Sequence, residues 1–197
     1  MGTIVVFENV SLDGVTQDPT AEEGLNRVDW RAGLAPTDRH EWANRLLSDA
    51  LGAEALLLGR RSYEYFAARY PDRAGELADR MNSLPKYVVS ATLTDPGWNN
   101  STVLVGDVVN EVSKLKHTVN GEIRVYASSQ LVHTLFEHDL VDELRLVIFP
   151  LVIGTGDHLF EKTSSPKHLR LVDTDAVGDS LTYLTYQCMR DGEDSAE

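Results

Sequence analysis

"ALLLGRRSYE", residues 55–64, sets four apolar residues against a glycine and two arginines in a chain whose formal net charge is -13. A short, uniformly apolar run of this kind reads as a strand buried on both faces, the pattern of a parallel sheet covered by helices. Gly59 offers a sharp exit from the strand. A helix follows from about Arg61 towards Tyr70 and ends before Pro71, because the residue preceding a proline is pushed out of the helical region. The first amides of such a helix have no partner within it and attract anions. Arg60, Arg61 and Ser62 add positive charge and a hydroxyl at that spot, the combination that suits a phosphate monoester.

Working outward, the same alternation recurs. Residues 3–9 form a β-branched and apolar strand, followed by "SLDG" and a connection that runs to about Pro36, long enough to read as a binding loop or lid. Asp38 and Glu41 have capping-box spacing for a helix that Gly52 stops. A further helix covers 74–83, "KYVVS" (86–90) and "TVLV" (102–105) are strands, and a helix spans 107–117 with Val108, Val112 and Leu115 on one side. "IRVYA" (123–127) is a strand, and Ser128 N-caps a helix carrying Leu131, Val132, Leu135 and Phe136 on one stripe. "ELRLVIFP", "LRLVDTDAV" and "SLTYLTYQCM" close the chain as strands, the last two joined by a hairpin at Gly178-Asp179. The expectation is an α/β fold of three layers: a mainly parallel mixed sheet with helices on both faces and a C-terminal antiparallel hairpin. Residues 1–190 form a single domain in this reading, and 191–197 are an acidic tail.

Composition narrows the partners. Asp and Glu number 31 against 18 Lys and Arg, so neither nucleic acid nor an anionic membrane suits the surface as a whole. A local basic corner still acts, because salt screens exposed charges beyond roughly 8 Å. The chain has one cysteine, Cys188, which excludes an internal disulfide and fits a reducing compartment, with the thiol in the core. The longest apolar run, "LVIFPLVI", is far short of the roughly 20 residues that span a bilayer, and a cytoplasmic protein is expected. No zinc set is present: His133 and His138 are five residues apart and no paired cysteines exist. "GTGD" at 154–157 lacks the third glycine of a dinucleotide fingerprint and reads as a loop.

Two strand-to-helix junctions remain as binding sites. The second lies at "VYASSQLV", where the helix starting at Ser128 points its amides at the carboxyl end of the preceding strand, the usual ligand edge of α/β sheets. Two anion sites suit a dinucleotide, one taking the pyrophosphate and the other a ribose phosphate. Asp13, between a strand end and Gly14, is the candidate for proton transfer, with a plain turn role as its alternative.

"FENVSLDG", "LLLGRRSYE", "KYVVSATL" and "LVDELRLVIFPLVIGTGDHLF" together resemble the dihydrofolate reductase-like superfamily. The similarity is greatest to stand-alone relatives of the riboflavin-biosynthesis reductase (RibD C-terminal) domain. The resemblance implies NADPH bound across the carboxyl edge of the sheet and hydride transfer to a small heterocycle or imine, pterin- or pyrimidine-like, as in reduction of 5-amino-6-(5-phosphoribosylamino)uracil. It places the 2′-phosphate on Gly59, Arg60, Arg61 and Ser62 with Ser90 beside it, and the pyrophosphate on Ala127, Ser128, Ser129 and Gln130. Leu12, Asp13 and Gly14 would stand beside nicotinamide and substrate, Trp30 would close over the substrate ring, and a homodimer is implied. The family's glutamate and paired glycines at the pyrophosphate turn are replaced here by Tyr126, Ala127 and Ser128. A second reading is therefore a non-catalytic nucleotide-binding or dimeric scaffold protein that kept the fold.

Overall fold

The computed structural model describes residues 1–22, 28–160 and 163–190. The expected acidic tail, 191–197, lies outside them. The strands are β1 (Thr3–Ser11), β2 (Ala53–Gly59), β3 (Lys86–Val89), β4 (Ser101–Leu104), β5 (Glu122–Tyr126), β6 (Glu143–Phe149), β7 (Leu169–Val177) and β8 (Leu181–Cys188). The helices are α1 (Pro36–Gly52), α2 (Arg60–Ala67), α3 (Glu76–Ser83), α4 (Val108–Thr118) and α5 (Ser129–Glu137), with a 3-10 turn at Trp30–Gly33. One eight-stranded sheet has the order β4-β3-β2-β5-β1-β6-β8-β7. Its pairs are parallel from β4 through β6, while β8 runs antiparallel to β6 and β7 to β8. The mixed, mainly parallel sheet with a closing hairpin agrees with the pattern of short apolar strands between helices.

Alternation along each strand builds two cores. On one face Phe7, Leu56, Leu58, Tyr126, Val147 and Phe149 pack with Trp42 and Leu46 of α1 and Met81 of α3. On the other, Ile4, Val6, Val10, Leu57, Ile123 and Val125 meet Val112 and Leu115 of α4 and Leu131, Val132 and Leu135 of α5. β2 is apolar from Ala55 to Leu58 because side chains on both of its faces are covered there.

Some local expectations are corrected. The capping box at Asp38 does not form: α1 begins at Pro36 after Ala35, with no side-chain cap, since proline's fixed φ suits the first helical turn. The Asp38 carboxylate instead accepts the Asp179 amide and the Ser180 hydroxyl, both at 2.7 Å, and holds the β7–β8 turn. Gly178 has φ 65°, and a Cβ there would stand 2.1 Å from Asp38 Oδ1, so this turn needs glycine for both conformation and space. Gly59, by contrast, has φ -71° and ψ 155°, which any residue adopts, so the exit from β2 uses no glycine-specific conformation. Cys188 is partly buried beside the second core, and burial pushes its thiol up to about 12.

The sheet splits where the site lies. β1 and β5 stay paired up to Phe7 and Tyr126. Beyond that β1 continues with β6 alone, from Glu8 to Ser11. The divergence opens a cleft at the carboxyl ends of the strands, the topological switch at which open α/β sheets bind ligands.

Candidate functional site

A cavity of about 880 Å³ fills that cleft, within the range of about 300–1,000 Å³ typical of small-molecule sites. One end is basic and polar. Gly59, Arg60, Arg61 and Ser62 line it from the start of α2, with Ser90, Ala91 and Thr92 from the turn after β3. The Arg60 guanidinium pairs with Glu64 at 2.7 Å and reaches across to the Thr92 hydroxyl. Ser90 Oγ accepts the amides of Thr92 and Leu93 at 3.2 and 3.0 Å, which fixes the turn and leaves its own proton to donate.

The second corner is Ala127, Ser128, Ser129 and Gln130, all on the same cavity. Ala127 (φ 50°) and Ser128 (φ 66°) are both left-handed, a conformation that costs a non-glycine residue roughly 1–2 kcal/mol. Ala127 therefore keeps the turn that glycine would adopt freely. Ser128 occupies the N-cap position of α5, but its side chain makes no capping bond. Its Oγ accepts the Gly59 amide at 3.1 Å and lies 3.1 Å from the Tyr126 carbonyl. The first-turn amides of α5 thus lack a side-chain cap and border the cavity, and the two corners are joined directly.

Beyond the corners the wall becomes apolar. Phe7, Leu46, Phe66, Tyr70, Met81 and Tyr126 line this half. Phe7 and Tyr126 meet edge to face at 5.7 Å, as do Phe66 and Tyr70 at 5.8 Å. Tyr126 is anchored from behind: its hydroxyl donates to Asp49 Oδ2 at 2.8 Å. Asp49 Oδ1 lies 2.6 Å from buried Arg124 and 3.0 Å from Arg145. Burial raises the Asp49 carboxyl even against these two guanidinium groups. At the rim, Thr20 Oγ1 is 3.1 Å from Tyr65 Oη, and Glu22 accepts from Tyr65 at 3.0 Å and Arg69 at 3.1 Å. The long connection after β1 therefore reaches the cavity, as its length suggested.

Four proposed residues lie elsewhere. Asp13 is absent from the cavity wall. Its carboxylate accepts Ser11 Oγ at 2.6 Å, the Ile153 amide at 3.1 Å and the Gly154 amide at 2.6 Å. These bonds, the Ser11 hydroxyl foremost, hold it down at about 2, so it is ionised at neutral pH and carries no proton to give. Leu12 is 64% exposed, and Gly14 (φ 85°) serves the turn by accepting the Leu159 amide at 2.9 Å. Trp30 is buried edge-on to Phe149 at 5.6 Å, in the core and off the cavity, and its indole N–H has no acceptor among the described residues. The tryptophan was expected to close over the substrate ring, but it packs edge-on against Phe149 of β6 instead.

The residue missed from the sequence is Glu8. It lines the cavity, and burial alone pushes its carboxyl up to about 8. The signal was present: a single charged residue inside the apolar run "TIVVFENV" is an exception that calls for a partner or a function. Asp157 of "GTGD" also lines the cavity.

Comparison with known proteins accords with this geometry. The chain is 28% identical over 189 residues to the protein YyaP of Bacillus subtilis (strain 168), covering 93% of each. A putative riboflavin biosynthesis protein from Shewanella sp. PV-4 superposes with a TM-score of 0.74 at 23% identity, over 95% of this chain and 99% of that one. Dihydrofolate reductase from Enterococcus faecalis, complexed with NADP(H), shares the fold with a TM-score of 0.58 at 16% identity, over 96% and 98% of the chains. The model of the RibD C-terminal domain matches residues 2–183. With the split sheet and its two joined strand-to-helix corners in place, that match makes the chain a member of the RibD C-terminal domain family, a reductase-type family.

Proposed function

We propose that the protein is an NADPH-dependent reductase of a small, flat heterocyclic or imine substrate. The observation that carries this reading is the continuity of one cavity, from a basic corner through a helix N-terminus to an aromatic wall. Arg60, Arg61, Ser62 and Ser90 would hold a ribose 2′-phosphate by charge-assisted hydrogen bonds. The free amides at the start of α5 would take the pyrophosphate. The donor set fits the group, and the left-handed pair at Ala127 and Ser128 keeps the backbone close to where phosphates would lie. Replacement of the family's glycines has not closed the turn, which removes the main argument for a scaffold that lost its ligand.

When bound, the coenzyme supplies the hydride. The chain's own residues orient and exclude water. Beyond Phe7 the edge of β1 is released from β5, so its backbone amides and carbonyls are available to a carboxamide. Phe7, Phe66, Tyr70 and Tyr126 form the surface on which a flat ring would pack. The test is loss of NADPH absorbance on adding a pterin, a pyrimidine or a cyclic imine to the purified protein. Turnover of one of these classes supports the reading, and bound NADPH that is never oxidised by any of them contradicts it.

A further inference from the structure

Glu8 stands apart from the other acids among the described residues. It is only 6% exposed yet lies on the cavity wall, and among the described residues its carboxyl has no hydrogen-bond or ion-pair partner. A buried carboxylate without a partner is strongly unfavourable, so such a group keeps its proton. Its place is set by the sheet: Glu8 is the first residue of β1 past the last β1–β5 pair, opposite Leu146 of β6. Alternation puts it on the face of Val6 and Val10, which pack in one cluster with Leu131 of α5, itself on the cavity wall.

The charged groups of its surroundings are directed elsewhere. Arg60 and Glu64 of α2 pair with each other, and Glu22 pairs with Arg69. Among the described residues, Arg61 of α2 and Asp157 of the loop after β6 complete the charged groups of the cavity wall. On α5, His133 directs Nε2 to the Leu159 carbonyl at 3.0 Å. On β6, Arg145 belongs to the opposite face with Asp49 and Glu122.

Resting on the reductase reading, we propose that Glu8 is the proton donor of the site, a neutral carboxylic acid that protonates the substrate directly or through one water. The step balances as follows. The carbon of a polarised C=N, C=O or C=C bond accepts the hydride from NADPH, and the π pair moves to the other atom of that bond. That atom takes the proton as the Glu8 O–H bond breaks. The products are the reduced substrate, NADP⁺ and a Glu8 carboxylate, which is reprotonated from solvent. Asp13, already ionised, cannot serve in this role.

The experiment combines two readouts on wild-type and Glu8→Gln protein. Infrared spectroscopy of the coenzyme-free protein across a pH series should show a protonated-carboxyl band at neutral pH that disappears around pH 8 and is missing in Glu8→Gln. NADPH oxidation is then followed with 7,8-dihydrofolate, uracil and 1-pyrroline as probe acceptors, one each of the pterin, pyrimidine and cyclic-imine classes. The variant should lower kcat roughly a hundredfold, the lower range of general-acid contributions, with the Kd for NADPH unchanged within about twofold. Absence of the band, or equal turnover by the variant, overturns the assignment of Glu8 and leaves the reductase reading standing. A wild type that binds NADPH but reduces none of the three probes overturns both. Glutamine matches the shape of the neutral acid, so loss of folding does not obscure the result.

Discussion

The backbone amide of Gly59 donates to Ser128 Oγ at 3.1 Å, and this bond brings the ends of two separate strand-to-helix junctions into one groove. A Cβ on Gly59 would lie 3.6 Å from Ser128 Cβ and 3.9 Å from Leu131 Cβ. The backbone tolerates a side chain there and a Cβ meets only ordinary contacts, but a longer side chain would occupy the groove that Gly59 lines. Gly59→Leu should fold with a Tm close to wild type and lose NADPH affinity by tenfold or more, about 1.4 kcal/mol. Calorimetric titration beside a thermal melt separates the two effects.

The left-handed pair at Ala127 and Ser128 predicts a gain of stability from added freedom. Ala127→Gly should stabilise the fold by about 1 kcal/mol, relief of the strain outweighing glycine's greater entropy in the unfolded chain. Ala127→Val should destabilise it by a similar or larger amount. Urea midpoints at constant m-value give the comparison.

Glu8 ties stability to pH. Its carboxyl is raised to about 8 in the folded chain, against about 4.3 unfolded. Between those values the folded state holds one more proton than the unfolded state, so this contribution is fully present below about pH 4 and is lost as pH rises to about 8. The slope approaches 1.4 kcal/mol per pH unit at most. Glu8→Gln lacks the effect, so its stability advantage over wild type should grow through that window and level off above it. Parallel urea unfolding across the pH range checks the sign.

Asp13 behaves in the opposite sense. Its folded value of about 2 lies below the unfolded value of about 3.9, so its contribution is present above about pH 4 and is lost as pH falls towards 2. Asp13→Asn should loosen the junction of the first turn with Ile153 and Gly154, seen as faster amide exchange at those two residues, with no change in the pH-rate profile near neutrality.

Much of the fold was legible because burial writes itself into strands directly. "ALLLG" is apolar on both faces, "KYVV" and "IRVY" are mainly so with Lys86 and Arg124 as buried charged exceptions, and turn residues separate them from amphipathic helices. The two strand-to-helix corners were legible for a related reason: a helix start leaves free amides wherever it occurs, and the arginines mark one of the two. The substrate half was not. Phe7, Leu46, Phe66, Tyr70 and Met81 converge from four elements and the turn after α2, and each reads as ordinary core in its own segment. Asp13 and Trp30 were misplaced because a turn carboxylate and a loop indole are placed by distant partners, Gly154 and Phe149, which local spacing does not reveal. Glu8 was legible in principle, as a charge inside a buried strand.

The most direct measurement of the central claim is a fluorescence titration with NADPH and NADH on wild type and on the Arg60→Ala, Arg61→Ala double variant. Micromolar NADPH binding, weaker NADH binding, and loss of that preference in the variant by at least tenfold, about 1.4 kcal/mol, are the predicted outcome. Equal affinity for the two nucleotides in the wild type, or no binding below millimolar concentration, would contradict it.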